Sequence, residues 1–249
     1  MNKPGVGVEL VGSAERLPFQ VRVAQRSELE EVVRLRSQAY GRHLPEFGAK
    51  LSQPEAADYQ LGCEVFVAIS KLDGSLLGTL RTHANALQSL PLEGSIQLPD
   101  RFTGKRMIEA TRLSVLGNAN SSLVRNALFK AFFSYAREQN ADWMLVTGRK
   151  PIDRMYEALL YRDVAEEGAF FPMKCTGNLP HRVMCMAVKE AEPIWREARH
   201  PLYDFAFVTR HPDIDVSGAR DLGDVWERRP GAKLALFQPP VRSLARVAV

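Results

Sequence analysis

Glu109 and Arg112 lie three residues apart in the run Glu109-Ala110-Thr111-Arg112-Leu113-Ser114-Val115, whose other members are apolar or small. The run reads as a strand. Period-two alternation predicts one face of Met107, Glu109, Thr111, Leu113 and Val115 and a second of Ile108, Ala110, Arg112 and Ser114, unless a bulge shifts the register. A carboxylate among apolar neighbours loses solvation, so its pKa tends upward and it becomes a plausible proton acceptor. A structural reading stands beside that one: an edge-strand Glu paired with a surface Arg also perturbs pKa. Arg36 poses a similar question. It falls in the apolar stripe Leu29, Val32, Val33, Ala39 and Tyr40 of a predicted helix. A guanidinium there must find a carboxylate, line a cavity, or snorkel to the edge of the core.

The elements that would position these residues alternate along the chain. Residues 1–18 are rich in Gly and Pro and predict a loose arm. A strand over 19–24 precedes a helix opened by Ser27, with Glu30 three residues on as a capping box. One short helix is expected near Pro54-Glu55-Ala56-Ala57-Asp58. Strands over 63–70 and 75–84 form a hairpin about Leu72-Asp73-Gly74. Residues 85–105 read as loop, and the Glu109 strand follows. The turn Leu116-Gly117-Asn118-Ala119-Asn120-Ser121-Ser122 leads into a helix striped by Leu123, Ala127, Leu128, Ala131, Phe132 and Tyr135. A strand over 142–147, a helix from Pro151 and a last core strand over 182–189 complete the alternation. The division is an arm at 1–18, a core at 19–190 and an extension at 191–249. Trp195, Tyr203, Phe205, Phe207 and Trp226 predict that the extension packs on the core or on another subunit. Residues after about 227 carry weaker signals.

Composition narrows the function. The 249 residues, 45% hydrophobic and 25% charged, suit a globular chain. A net charge of +4 suits an acidic or anionic partner but is too small to argue for nucleic acid. No apolar run approaches the ~20 residues that span a bilayer, and the first residues lack a secretory apolar stretch. Cys63, Cys175 and Cys185 have no metal-like spacing and read as reduced cytosolic thiols.

The order of elements resembles the GNAT acyltransferase fold, an α/β fold whose mixed, mostly antiparallel sheet is flanked by helices. Arg154-Met155-Tyr156-Glu157-Ala158-Leu159-Leu160 resembles the GNAT helix whose Tyr lies near a thioester sulfur. Glu109-Ala110-Thr111-Arg112-Leu113 resembles the E-x-[ST]-R signature of the N-acyl-homoserine lactone (autoinducer) synthases, and more closely a strand of the N-acyl amino acid synthases. Leu35-Arg36-Ser37-Gln38-Ala39-Tyr40 and Gly78-Thr79-Leu80-Arg81 are similar to two further segments of that group. The turn before the Leu123 helix lacks the paired glycines with which acetyl-CoA-binding members cradle a pyrophosphate. The autoinducer-synthase-like branch shares that loss and often takes acyl chains from acyl carrier protein.

The resemblance implies transfer of a long-chain acyl group from a phosphopantetheine thioester to the amine of an amino acid or similar small molecule. Acyl carrier protein, or else CoA, carries that thioester as co-substrate, with no tightly bound cofactor and no metal, in the cytoplasm. Glu109 would be the base and Tyr156 the acid that protonates the departing thiolate. Backbone amides near Leu113, Ser114 and Val115 would meet the oxyanion. Arg36, Arg81 and Arg112 would hold a substrate carboxylate, with Glu55 and Asp58 as the matching acidic loop residues; an internal ion-pair set with Glu109 and Asp58 is the other reading of the arginines. The acyl chain would run where the Glu109 and Trp143 strands part, among Met107, Leu113, Phe129, Phe133, Met144 and Val146. Arg125, Lys130, Arg149, Lys150, Arg154 and Arg162 would steer an acidic carrier, or simply form a solvated basic face. A CoA-dependent N-acetyltransferase and a non-catalytic acyl- or partner-binding module are the alternatives.

Overall fold

Runs of apolar and β-branched residues at 19–23, 63–70, 76–84, 107–115, 143–148 and 179–187 have only one way to bury both their faces, which is to pair into a sheet covered by helices. In the computed structural model, which describes residues 14–117 and 120–227, they do so. The elements are β1 (Phe19–Val23), α1 (Leu29–Gly41), α2 (Pro45–Lys50), β2 (Cys63–Ser70), β3 (Leu76–Ala84), β4 (Met107–Val115), α3 (Ser121–Glu138), β5 (Trp143–Gly148), α4 (Ile152–Ala158), β6 (Arg162–Asp163), β7 (Phe171–Met173), β8 (Leu179–Ala187), α5 (Val188–Glu197) and α6 (Gly223–Glu227). The sheet order is β1-β2-β3-β4-β5-β8-β6, with β7 on β8. Among these strands every pairing is antiparallel except β4 with β5.

One face carries the larger core, where Phe66, Leu80, Ile108 and Met144 meet Leu128, Phe132 and Tyr135 of α3. Gly78 permits that approach: a Cβ there would lie 2.9 Å from Val124 and 3.1 Å from the Ser114 carbonyl. On the other face, α1 packs Leu29, Val32 and Leu35 on Val65 and Val67. Leu90, Leu92 and Phe102 of the 85–105 loop cover Met107, Leu145 and Val183 on the same side.

The predicted alternation of the Glu109 strand is broken by a bulge. Arg81 pairs with Thr111 and Thr79 with Ser114, so two residues of β4 oppose one of β3. Arg112 occupies the left-handed region with φ 55°. Leu113 and Val115 therefore join Ile108 and Ala110 against the larger core, not Met107 and Glu109.

Other differences lie at element ends. The cap of the first helix comes earlier than expected, where the Gln25 N–H donates to Glu28 at 2.7 Å. The helix expected near Pro54 is a 3-10 turn, Ala56–Tyr59, while α2 carries no sequence signal we read. β8 starts three residues before the strand expected at 182, because β7 pairs with its first residues. Residues 14–17, read as part of a loose arm, run beside 210–213: Glu15 N–H donates to the Arg210 carbonyl at 2.9 Å and Leu17 N–H to Asp213 at 2.9 Å. The rest of the arm and residues after 227 lie outside the described residues.

Residues 188–227 pack on the larger core. Trp195 and Trp226 are buried and donate their indole N–H groups to the Leu159 and Gln139 carbonyls, each at 3.1 Å. Lys130 of α3 fastens a π-helical turn, Asp204–Val208, by donating to the Phe205 and Thr209 carbonyls at 2.8 and 2.6 Å. Removing a buried Trp typically costs ~3–5 kcal/mol. Trp226→Ala should lower unfolding free energy by about that amount in urea titration, and a chain ending at Glu190 should be insoluble or melt lower. An unchanged melting temperature for the shortened chain would mean that this packing contributes nothing.

Candidate active site

The parallel pairing of β4 and β5 runs from Met107–Trp143 to Ala110–Val146 and ends there. Both strands continue, to Val115 and Gly148, and part as they do so. A cavity of about 260 Å³ fills the opening. Its walls are β4 residues 110–115, Thr147 and Gly148 of β5, Ala39 and Tyr40 of α1, and Met155 and Tyr156 of α4, with Cys175, Leu179 and His181 closing it. Arg125, Arg149 and His43 also border it.

Behind α1 lies a chain of buried charges. Arg36 donates to Asp58 at 2.8 Å, and Arg81 meets Asp58 and Glu55, both at 3.0 Å. Glu55 then accepts two bonds from Arg112, at 2.7 and 2.6 Å. Arg112 closes the chain at the cavity wall, with its guanidinium 5.2 Å over the Phe47 ring and donating to the Cys175 carbonyl at 3.3 Å. Burial opposes ionisation of Glu55, but the Arg112 hydrogen bond and the charges of Arg81, Arg112 and Arg36 hold its carboxyl down to about 2. Burial likewise opposes ionisation of Asp58, and Arg36 and Arg81 outweigh it.

Glu109 stands outside this chain. It is fully buried, accepts one bond from the Leu92 N–H at 3.1 Å, and leaves Oε1 without a partner among the described residues. Burial pushes its carboxyl up to about 8, against the opposing pull of the Leu92 N–H and Arg81. Tyr156 is on the cavity wall, edge-on to Phe129 at 5.8 Å, and burial pushes its phenol up.

Of the residues singled out in the sequence, Arg112, Leu113, Ser114, Val115 and Tyr156 meet at the cavity. Glu109 sits behind the wall, while Arg36, Arg81 and Asp58 belong to the internal ion-pair chain. Val146 is in the core. Met144 instead lines a separate apolar cavity of about 50 Å³ with Phe129, Phe133 and Phe207. Sequence reasoning missed Tyr40 and His181 as wall residues. Tyr40 was indistinguishable from the apolar stripe around it, and His181 fell before the expected strand. Among the described residues no cluster of His, Cys, Asp or Glu is arranged to hold a metal ion, and no helix is long and apolar enough to cross a membrane.

A mixed sheet with helices on both faces, parted at its central parallel pair around a cavity, is the architecture of a GNAT-fold acyltransferase. The sequence profile of N-acyl amino acid synthase FeeM matches residues 31–176, more than half of the chain, and the chain belongs to that family of N-acyltransferases. Its chemistry is acyl transfer to an amine. The solved structure of FeeM, an N-acyl amino acid synthase from uncultured soil microbes, is similar at TM-score 0.55 and 18% identity, over 75% of this chain and 96% of that one. BjaI, a CoA-dependent acyl-homoserine lactone synthase, is similar at TM-score 0.55 and 11% identity, over 84% of this chain and 98% of its own. These two likenesses concern the fold. No curated protein matches the sequence.

The two carboxylates impose opposite pH slopes. Glu55, with its folded pKa depressed to about 2, contributes stability that is present above the ordinary Glu value and is lost as pH falls toward 2. Glu109, raised to about 8, contributes stability that is full below the ordinary Glu value and is lost as pH rises toward 8. Glu55→Gln should therefore flatten the acid side of the stability profile and Glu109→Gln the side between about pH 4.5 and 8. Urea denaturation across pH checks both; parallel profiles for parent and variants would refute the assigned environments.

Proposed function

We propose that the protein transfers a long-chain fatty acyl group from acyl carrier protein to the amine of an amino acid in the cytoplasm. The observation that carries this reading is the cavity itself, with apolar walls of Ala110, Leu113, Ile152 and Met155 and with Arg125 and Arg149 bordering it. A guanidinium pair suits the phosphate of a phosphopantetheine arm, which carrier protein and CoA share. The turn after β4 has no paired glycines to receive the pyrophosphate that CoA alone adds. FeeM, by its description, makes N-acyl amino acids, which supports the acceptor class. Arg112 at the wall offers a guanidinium to an amino acid's carboxylate, in exchange with or beside Glu55. Tyr156, which keeps its proton, would donate it to the departing thiolate. The acyl tail would pass Tyr156 and Phe129 toward the smaller cavity at Met144.

Mass spectrometry of products formed from acyl-carrier-protein and acyl-CoA donors, with a panel of amino acids, tests the reading. Arg125→Glu with Arg149→Glu should raise KM for the carrier-protein donor on the order of tenfold, and added salt should slow the parent. Equal use of acyl-CoA, with no effect of either change, would replace the carrier protein by CoA as donor.

A further inference from the structure

We propose that His181 is the proton acceptor for the attacking amine, an assignment that rests on the acyl-transfer reading above. The base must reach the cavity, and Glu109 does not line it. His181 does. Its Nδ1 lies 2.8 Å from the Leu179 carbonyl. A carbonyl only accepts, so Nδ1 carries the proton, and in the neutral ring Nε2 keeps a lone pair. Nε2 has no protein partner among the described residues, nor is it among the sealed, unpartnered buried atoms. Burial, aided by the charges of Arg149 and Arg112 and opposed by the Leu179 hydrogen bond, holds His181 below the ordinary His range, which favours the neutral ring near pH 7. Cys175, the nearby thiol on the wall, is pushed up by burial and keeps its proton. His43, the second imidazole bordering the cavity, is exposed, and among the described residues no hydrogen bond fixes its tautomer.

The side on which His181 sits also fits the reaction. Val183 and Cys185 of β8 face the core that holds Met107 and Leu145, so His181, two residues before Val183, lies on that same face. Tyr156 belongs to the opposite core. The cavity in the parted strands is thus reached by His181 from one face and by Tyr156 from the other. An amine on the His181 side attacks the thioester carbonyl carbon and the C–N bond forms. The nitrogen's surplus proton passes to Nε2. On collapse the C–S bond breaks, and the thiolate takes the Tyr156 proton. Tyr156 recovers its proton from solvent and His181 returns its own there, so the net products are one amide and one thiol.

The test compares parent, His181→Gln, which can still donate to the Leu179 carbonyl, and His181→Ala. The kcat/KM of the parent should rise with pH through a single ionisation. Both variants should keep the parent's melting temperature, lose about 10²–10⁴-fold in kcat/KM with a smaller change in KM, and lose that acidic limb. Imidazole should restore part of the rate to His181→Ala. Activity within a few-fold of the parent with the limb intact, or loss of the limb in Glu109→Gln alone, overturns the assignment while leaving acyl transfer standing. Nitrogen-15 NMR of the imidazole, assigned with His181→Gln, gives a readout that needs no turnover. Nε2 should be unprotonated at neutral pH; a protonated Nε2 there overturns the proposal. A parent that forms no N-acyl product from any donor refutes the acyl-transfer reading instead.

Discussion

The bulge at Arg112 is the constraint on which the site depends. A non-glycine residue in the left-handed region costs roughly 1–2 kcal/mol, and Arg112 is held there by its two bonds to Glu55. The consequence is geometric. β4 stays in register with β5 as far as Ala110 and then leaves it, and the gap becomes the cavity. The same residue turns Leu113 and Val115 to the α3 side, which furnishes the cavity with an apolar wall.

Holding that bulge takes a chain of charges that would be expensive if any member stood alone. Asp58 is shared by Arg36 and Arg81, and Glu55 by Arg81 and Arg112, so each carboxylate meets two guanidiniums. The chain ties α1 and the 3-10 turn at 56–59 to β3 and β4. Residues that resemble a family's substrate-binding set thus have an architectural task first, and only Arg112 of the three arginines reaches the cavity.

Glu109 and His181 share a sheet face but differ in what surrounds them. Glu109 is sealed by the 85–105 loop through Leu92, so burial dominates and favours the neutral acid. His181 has one nitrogen committed to a carbonyl and the other without a protein partner among the described residues. Position relative to the parted strands, not residue type, separates an interior acid from a group that can meet a substrate.

Much of the fold was written locally. Apolar and β-branched runs marked the six core strands, and the stripes of Leu29, Val32, Leu128 and Phe132 marked α1 and α3. The motif around Glu109 and Tyr156 led to the correct family. These features depend on neighbours within a few residues, which the sequence displays directly. Tertiary structure alone decided the face of Leu113, the partners of Arg36 and Arg81, the sealing of Glu109 and the placement of Tyr40 and His181 at the cavity. Each depends on groups well separated along the chain: Glu55 is 57 positions from Arg112, and Leu92 is 17 from Glu109. A charge reads the same along the chain whether it is paired, sealed or open, because its pKa and reach are set by burial and by partners that only folding brings together.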